Sequence, residues 1–266
     1  VGKKGYEKNR TFAKYQLLLI VMITISTWFT TINSASTAQL NQKISGEMPI
    51  FGDISNYVTN YQISPDGQYV VYIADQQTDE AFELYSVPID GSSAPIRLSD
   101  PLPSGVAVNK FEISNNSSHV IFTAPKDVAN KYLYELYIVP IVGGTAVKLN
   151  DPLATDGTVT SFGIAPNNSR VVYIATQQTE GVYELYSVPL EGGETVKLNS
   201  VLVNNGDVRN FKIAPNSSQV VYMADQQQNF VNEIFSVPLD GGTVIKLNGA
   251  LVNGGIVGNY AIAQTV

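Results

Sequence analysis

Three sets of polar side chains recur at regular intervals along this chain, and each could do chemistry. The first is a series of amides and carboxylates: Asp75, Gln76 and Gln77, then Lys126 and Asp127, then Thr176, Gln177 and Gln178, then Asp225, Gln226 and Gln227. Asp156 and Asp207 lie in the Gly/Asn-rich stretches between them. Such groups can hydrogen-bond a protein or carbohydrate ligand, although each taken singly reads first as a solvated turn residue. The second set places Glu83, Glu135, Glu184 and Glu233 ahead of Arg97, Lys148, Lys197 and Lys246. One such pair could move a proton. Repeated four times, it reads instead as a cross-strand ion pair on an outer sheet surface, worth about 0.2–1 kcal/mol each. The third is His119, at a position held elsewhere by Tyr69, Arg170 and Gln219. That variety indicates exposure and not a catalytic base. No serine stands in a Gly-x-Ser-x-Gly setting.

Composition narrows the chemistry further. The chain has 266 residues, 44% apolar and 15% charged, which is a core-building composition. It has no Cys and one His. That excludes a disulfide framework, a thiolate or multi-His metal site and a cysteine nucleophile. No loop carries the dense alternating oxygen ligands of a calcium site, and no cofactor is called for. A net charge of −7 excludes the basic footprint of a nucleic-acid binder.

Residues 1–38 read as a signal peptide or N-terminal membrane anchor. Lys3, Lys4, Lys8, Arg10 and Lys14 form a basic region, Leu17–Ile32 is largely apolar, and Ser34, Ala35, Ser36 and Ala38 are small. Thr24, Ser26, Thr27, Thr30 and Thr31 dilute the apolar run, which favours the signal over the anchor. The remainder is therefore expected outside the cytoplasm: periplasmic, on the cell surface or secreted. Its only link to a membrane would be this segment, if it is not cleaved.

The elements that must position the polar series follow from an internal repeat. Its starts are Tyr61, Phe111, Phe162, Phe211 and Tyr260, and 29 of 49 positions agree between the units at 162–210 and 211–259. Each unit reads as four strands. Strand a is an aromatic-x-Ile segment, followed by a turn such as Pro65-Asp66-Gly67. Strand b is apolar on both faces (Val70–Ala74, Val120–Ala124, Val171–Ala175, Val220–Ala224), so it must be covered on both sides. Strand c ends in Pro88, Pro140, Pro189 or Pro238, and a glycine turn leads into a short strand d. Four antiparallel strands at a period near 50, shielded on both faces, predict an all-β fold: a β-propeller of four complete blades and a partial one.

The residues Ser64-Pro65-Asp66-Gly67, then Glu83–Gly91, then Arg97-Leu98 resemble the TolB-like, WD-like (PD-type) propeller repeat, which also builds the propellers of prolyl-oligopeptidase-type peptidases. The resemblance covers 61–266. It implies the fold, and it implies no single activity because the repeat serves many roles. The sequence departs from the pattern in two ways. Only the first unit keeps the full Ser-Pro-Asp-Gly, and the usual Leu-Thr ending reads Leu-Ser or Leu-Asn.

The expected organisation is a connector at 39–60 with a strand completing a partial blade, then blades at 61–110, 111–161, 162–210 and 211–259, and a partial one at 260–266. Lys43–Gly46 resembles Lys246–Gly249, so the two ends supply strands d and a of one shared blade. The chain thus reads as part of a longer propeller of five blades or more. Read as complete, it is an open arc whose edges invite head-to-tail self-association. In either case the b–c and d–a connections share one face, and the polar series lies on it. The function expected is a non-enzymatic scaffold of the cell envelope that binds protein or carbohydrate there. The alternative is the propeller portion of a larger prolyl-oligopeptidase-like hydrolase.

Overall fold

The computed structural model describes Ile44, residues 61–125 and residues 129–263. The expected N-terminal signal or anchor helix, and Asp127 on its loop, lie outside these residues.

Among the described residues sixteen strands form four separate four-stranded antiparallel sheets, each in chain order. Blade 1 holds β1 (Tyr61–Ile63), β2 (Tyr69–Ala74), β3 (Glu83–Pro88) and β4 (Ile96–Arg97). Blade 2 holds β5 (Lys110–Ile113), β6 (His119–Pro125), β7 (Tyr134–Pro140) and β8 (Val147–Lys148). Blade 3 holds β9 (Val159–Ile164), β10 (Arg170–Ala175), β11 (Glu184–Pro189) and β12 (Val196–Lys197). Blade 4 holds β13 (Val208–Ile213), β14 (Gln219–Ala224), β15 (Glu233–Pro238) and β16 (Ile245–Lys246). The strand-c prolines close their strands, where a missing ladder donor costs least.

Burial on both faces is realised by stacking one sheet on the next. Val171, Tyr173, Tyr186 and Val188 pack against Ile121, Leu136 and Ile138 of blade 2, while Val172, Ile174 and Leu185 pack against Val220, Tyr222 and Phe235 of blade 4. Alternate residues of one strand therefore serve two different interfaces. In each blade one aromatic pair stacks across strands b and c: Tyr72–Tyr85, Phe122–Tyr137, Tyr173–Tyr186 and Tyr222–Phe235, with centroids 5.4–5.6 Å apart. The strand-d leucine seals the outer part of each junction. Leu98 is 2% exposed, whereas Leu247 of blade 4 is 48% exposed. Ile44 packs against Val70, Tyr72 and Tyr85, on the other flank of the array.

Two polar fastenings repeat at the junctions. Near the inner rim, the a–b turn places Gly67, Ser117, Asn168 and Ser217 at φ of 57–73°. The three non-glycines sit in this costly left-handed region and use their side chains. Ser117 Oγ accepts from the Asp66 N–H at 3.0 Å, Asn168 Oδ1 from the Asn115 N–H at 2.8 Å, and Ser217 Oγ from the Asn167 N–H at 3.0 Å. The departures from Ser-Pro-Asp-Gly thus create bonds between blades. At the outer rim, Arg170 meets Asp240 at 3.3 Å, and His119 Nε2 lies 3.7 Å from Glu191. His119 is accordingly a half-covered junction residue and not the exposed one its variety predicts. The c–d turn also needs its glycine: a Cβ on Gly241, at φ 88°, would stand 2.7 Å from Val196 Cγ1 of the preceding blade.

The Leu-Asn ending has a structural role as well. Asn150, Asn199 and Asn248 accept the N–H of Leu136, Leu185 and Ile234 through Oδ1, at 2.7–3.0 Å, and Ser99 does the same for Leu84 at 3.2 Å. Each asparagine also donates Nδ2 to the carbonyl of the next residue. Strand d is only two residues long, so this side chain continues the ladder where the backbone leaves it.

Candidate binding face

The face carrying the b–c and d–a connections collects the described members of the polar series, and the structure gives nearly every one of these an internal partner. In blades 1, 3 and 4 the strand-b tyrosine donates its hydroxyl to the first glutamine of the loop: Tyr72 to Gln76 at 2.7 Å, Tyr173 to Gln177 and Tyr222 to Gln226 at 2.8 Å. The second glutamine accepts from the strand-d cation, as Gln77 does from Arg97 and Gln178 from Lys197. Gln177 and Gln226 are buried, and Gln77 and Gln178 remain exposed at the rim.

The aspartates hold backbone N–H groups. Asp225 is fully buried; its Oδ1 accepts from Asp207 N at 2.7 Å, and its Oδ2 accepts from Phe230 N at 3.2 Å and Arg209 Nη2 at 3.1 Å. Asp75 is buried at the same place in blade 1 and accepts from Glu80 N at 3.4 Å. Asp207 accepts from Tyr183 N of blade 3 at 2.9 Å and so ties two blades together. Asp156 is exposed, at φ 53°, where the other d–a connections place Gly105, Asn205 and Gly254.

Burial pushes the Asp225 carboxyl up, but the Asp207 and Phe230 N–H groups and the Arg209 guanidinium outweigh it and hold the group below its ordinary value. A carboxyl lowered in this way stabilises the fold above its unfolded value of about 4, and that contribution is lost as pH falls through the lowered value. Asp225→Asn is therefore expected to cost about 1–3 kcal/mol at neutral pH and less near pH 2. Urea unfolding at the two pH values checks this; equal losses at both would contradict it.

The strand-c glutamates depart from expectation. The ion pairs to Arg97, Lys148 and Lys197 form at 2.8–3.1 Å, and Lys246 pairs with Glu233, but the carboxylates are buried and not on an outer surface. Glu83, 1% exposed, also accepts from Tyr85 OH at 2.7 Å and from Leu102 N at 2.9 Å. Residues two apart on a strand share a face, so Glu and Tyr of the Glu-Leu-Tyr segment bond each other inside the sheet stack. Desolvation, then the bond to Glu83, push the Tyr85 phenol well above its usual range.

Two residues outside the polar series stand out on this face. A backbone bond closes each b–c loop: Ala81 N to Thr78 O, Leu133 N to Asn130 O, Val182 N to Thr179 O and Val231 N to Gln228 O. The residue just before each donor is the loop tip: Glu80, Tyr132, Gly181 and Phe230. Tyr132 is 71% and Phe230 79% exposed. Phe230 lies at φ 62°, a region costly for a bulky side chain, where blade 3 uses Gly181. Val201 and Val252, on d–a connections of the same face, are exposed too. The tips can be found in the sequence by aligning units backward from strand c, because the blade 2 loop is two residues longer. Among the described residues no three His, Cys, Asp or Glu side chains converge on a metal position.

No protein-family model and no curated protein sequence matches the chain. Solved structures do. A prolyl endopeptidase aligns over 77% of this chain and 31% of its own, with 9% identity and a TM-score of 0.51. A puromycin hydrolase aligns over 74% and 32%, with 15% identity and a TM-score of 0.50. TolB from Acinetobacter baumannii aligns over 73% and 44%, with 11% identity and a TM-score of 0.45. At such identities the peptidase matches bear on the fold alone, and they agree with the stacked sheets: the chain has a β-propeller architecture. It spans about a third of the length of either peptidase.

Proposed function

We propose that this chain is an exported, non-enzymatic β-propeller that binds a protein partner through its loop face, with Phe230 and Tyr132 as anchors. The observation that carries this is Phe230, a large apolar ring held in a left-handed backbone and turned to solvent. Backbone strain without a packing return concentrates at functional sites, and exposed aromatics are the usual anchors of interfaces. Asp225 and Asp75, buried behind the tips of their own loops, act as positioning residues by fixing the tip N–H groups. Val201 and Val252 add aliphatic surface, which favours a protein over a sugar. The basic, apolar and small-residue order of residues 1–38 supports export. Cell fractionation of the protein tests that point.

The binding test uses the contrast between fold and function. Phe230→Gly is expected to leave stability unchanged or raise it by up to about 1 kcal/mol, because the strain is removed. The same change should weaken capture of the envelope partner roughly 30-fold, the loss of one anchor. Val142→Ser, on an exposed c–d turn of the opposite face, should bind as the parent does. Equal binding by both variants, or equal loss, would remove the assignment. A glycan captured in place of a protein would change the partner class.

The second reading, the propeller portion of a larger prolyl-oligopeptidase-like hydrolase, is favoured by the limited share of the two peptidases that the chain spans. A nucleophile-elbow serine in coding sequence downstream of Val266 is its requirement.

A further inference from the structure

We propose that the inner wall between blades 3 and 4 forms a binding slot for a primary ammonium group, away from the loop face. The second residue of each aromatic-x-Ile motif lies on the innermost strand: Gln62, Glu112, Gly163 and Lys212. At three of the four steps a side chain of one blade donates to the aromatic residue's carbonyl on the next. Gln62 Nε2 bonds the Phe111 carbonyl at 3.3 Å, Lys110 Nζ that of Phe162 at 3.0 Å, and Lys212 Nζ that of Tyr260 at 2.7 Å. The two lysines also stand over the rings of the same residues, 4.5 Å from Phe162 and 5.1 Å from Tyr260. Carbonyl and ring together make a cation site that the fold builds repeatedly.

The remaining step has the same acceptor and no donor. Its aromatic residue is Phe211, the residue facing it is Gly163, and among the described residues no side chain donates to the Phe211 carbonyl. Nothing local demands glycine there. A Cβ on Gly163 would meet Phe211 Cε2 at 3.5 Å, an ordinary contact, and its φ is outside the left-handed region. Glycine weakens a strand interior and often marks a close approach by a ligand. Here it lines an open concavity of about 500 Å3, together with Glu112, Phe211 and Lys212 among others. Glu112 supplies a carboxylate, shared with Lys110 at 2.7 Å, and the Lys212 ammonium is bonded to the Tyr260 carbonyl. An incoming ammonium therefore meets at Phe211 the carbonyl and ring that Lys110 and Lys212 use at their own junctions. A free alkyl amine and a lysine side chain of another protein offer the same chemistry.

Nitrogen-edited NMR titration of the full chain tests the slot at the Gly163 and Phe211 amides. The probes are cadaverine against pentanediol, and an acetyl-Gly-Lys-Gly-amide peptide against its lysine-acetylated form. The charged member of a pair should bind at least about tenfold better than the neutral one. Gly163→Gln and Gly163→Lys each restore an internal donor of the kind found at Gln62 or Lys212, and should lower the response about tenfold. Either variant suffices if its melting temperature matches the parent's. A response to both charged probes supports the slot with a free amine as a sufficient ligand, and a response to the peptide alone assigns it to a protein lysine. Equal binding of charged and neutral probes, no response at all, or an undiminished response in the folded variants would overturn it.

Discussion

Tyr173→Ala is expected to cost about 3–5 kcal/mol, enough to lower the melting temperature by roughly 10 °C. The ring is fully buried between blades 2 and 3 and stacked on Tyr186, so its removal leaves a cavity that two rigid sheets cannot close. Tyr173→Phe removes only the hydroxyl that donates to Gln177 and should cost about 1 kcal/mol. Blade 2 already tolerates Phe122 at this position. Burial also pushes the Tyr173 phenol up, so the folded chain keeps a proton that the unfolded chain releases near pH 10. Stability therefore declines as pH rises beyond about 10, and less steeply in Tyr173→Phe. Calorimetry of the two variants beside Tyr132→Ala, at an exposed tip, checks the ranking. A Tyr132→Ala loss as large as that of Tyr173→Ala would contradict it.

The second large effect concerns charge. Arg97→Met is expected to destabilise by about 3 kcal/mol, because it strands the Glu83 carboxylate inside the stack with only Tyr85 OH and Leu102 N as partners. The comparison that matters is the double variant. Glu83→Gln combined with Arg97→Met removes both charges and should recover most of the loss, since a buried pair contributes little beyond compensating its own desolvation. Denaturant unfolding of the three variants measures this. A double variant as unstable as Arg97→Met would show that the guanidinium acts through packing instead of charge.

The blades were legible because the strand-b runs are apolar at almost every position, a pattern that requires cover on both faces and so a neighbour on each side. Glycine turns and terminal prolines then set the limits of strands c and d to within a residue or two, whereas strand a of blades 3 and 4 starts three residues earlier than its aromatic, at Val159 and Val208. The glutamate environment was not legible: charge in the Glu-Leu-Tyr segment points outward by habit, and only the packed sheets show its carboxylate bonded to a tyrosine two residues on. Nor do the loop-face glutamines declare their partners from order alone, since Tyr72 and Gln76 meet only once strand b has ended. Phe230 and Tyr132 carry no such mark in the sequence, because they are not repeated in all four units as the polar positions are.

Fastening at both rims has a consequence for recognition. A junction held by turn contacts at one edge and by Arg170–Asp240 or His119–Glu191 at the other is braced at two points, which restrains the tilt between adjacent sheets. Tyr132 and Phe230 stand on the b–c loops of blades 2 and 4, two blades apart on this frame. Under the proposed function, a partner that offers two receptors at the matching gauge gains from simultaneous engagement, and one that offers only a single receptor forfeits it.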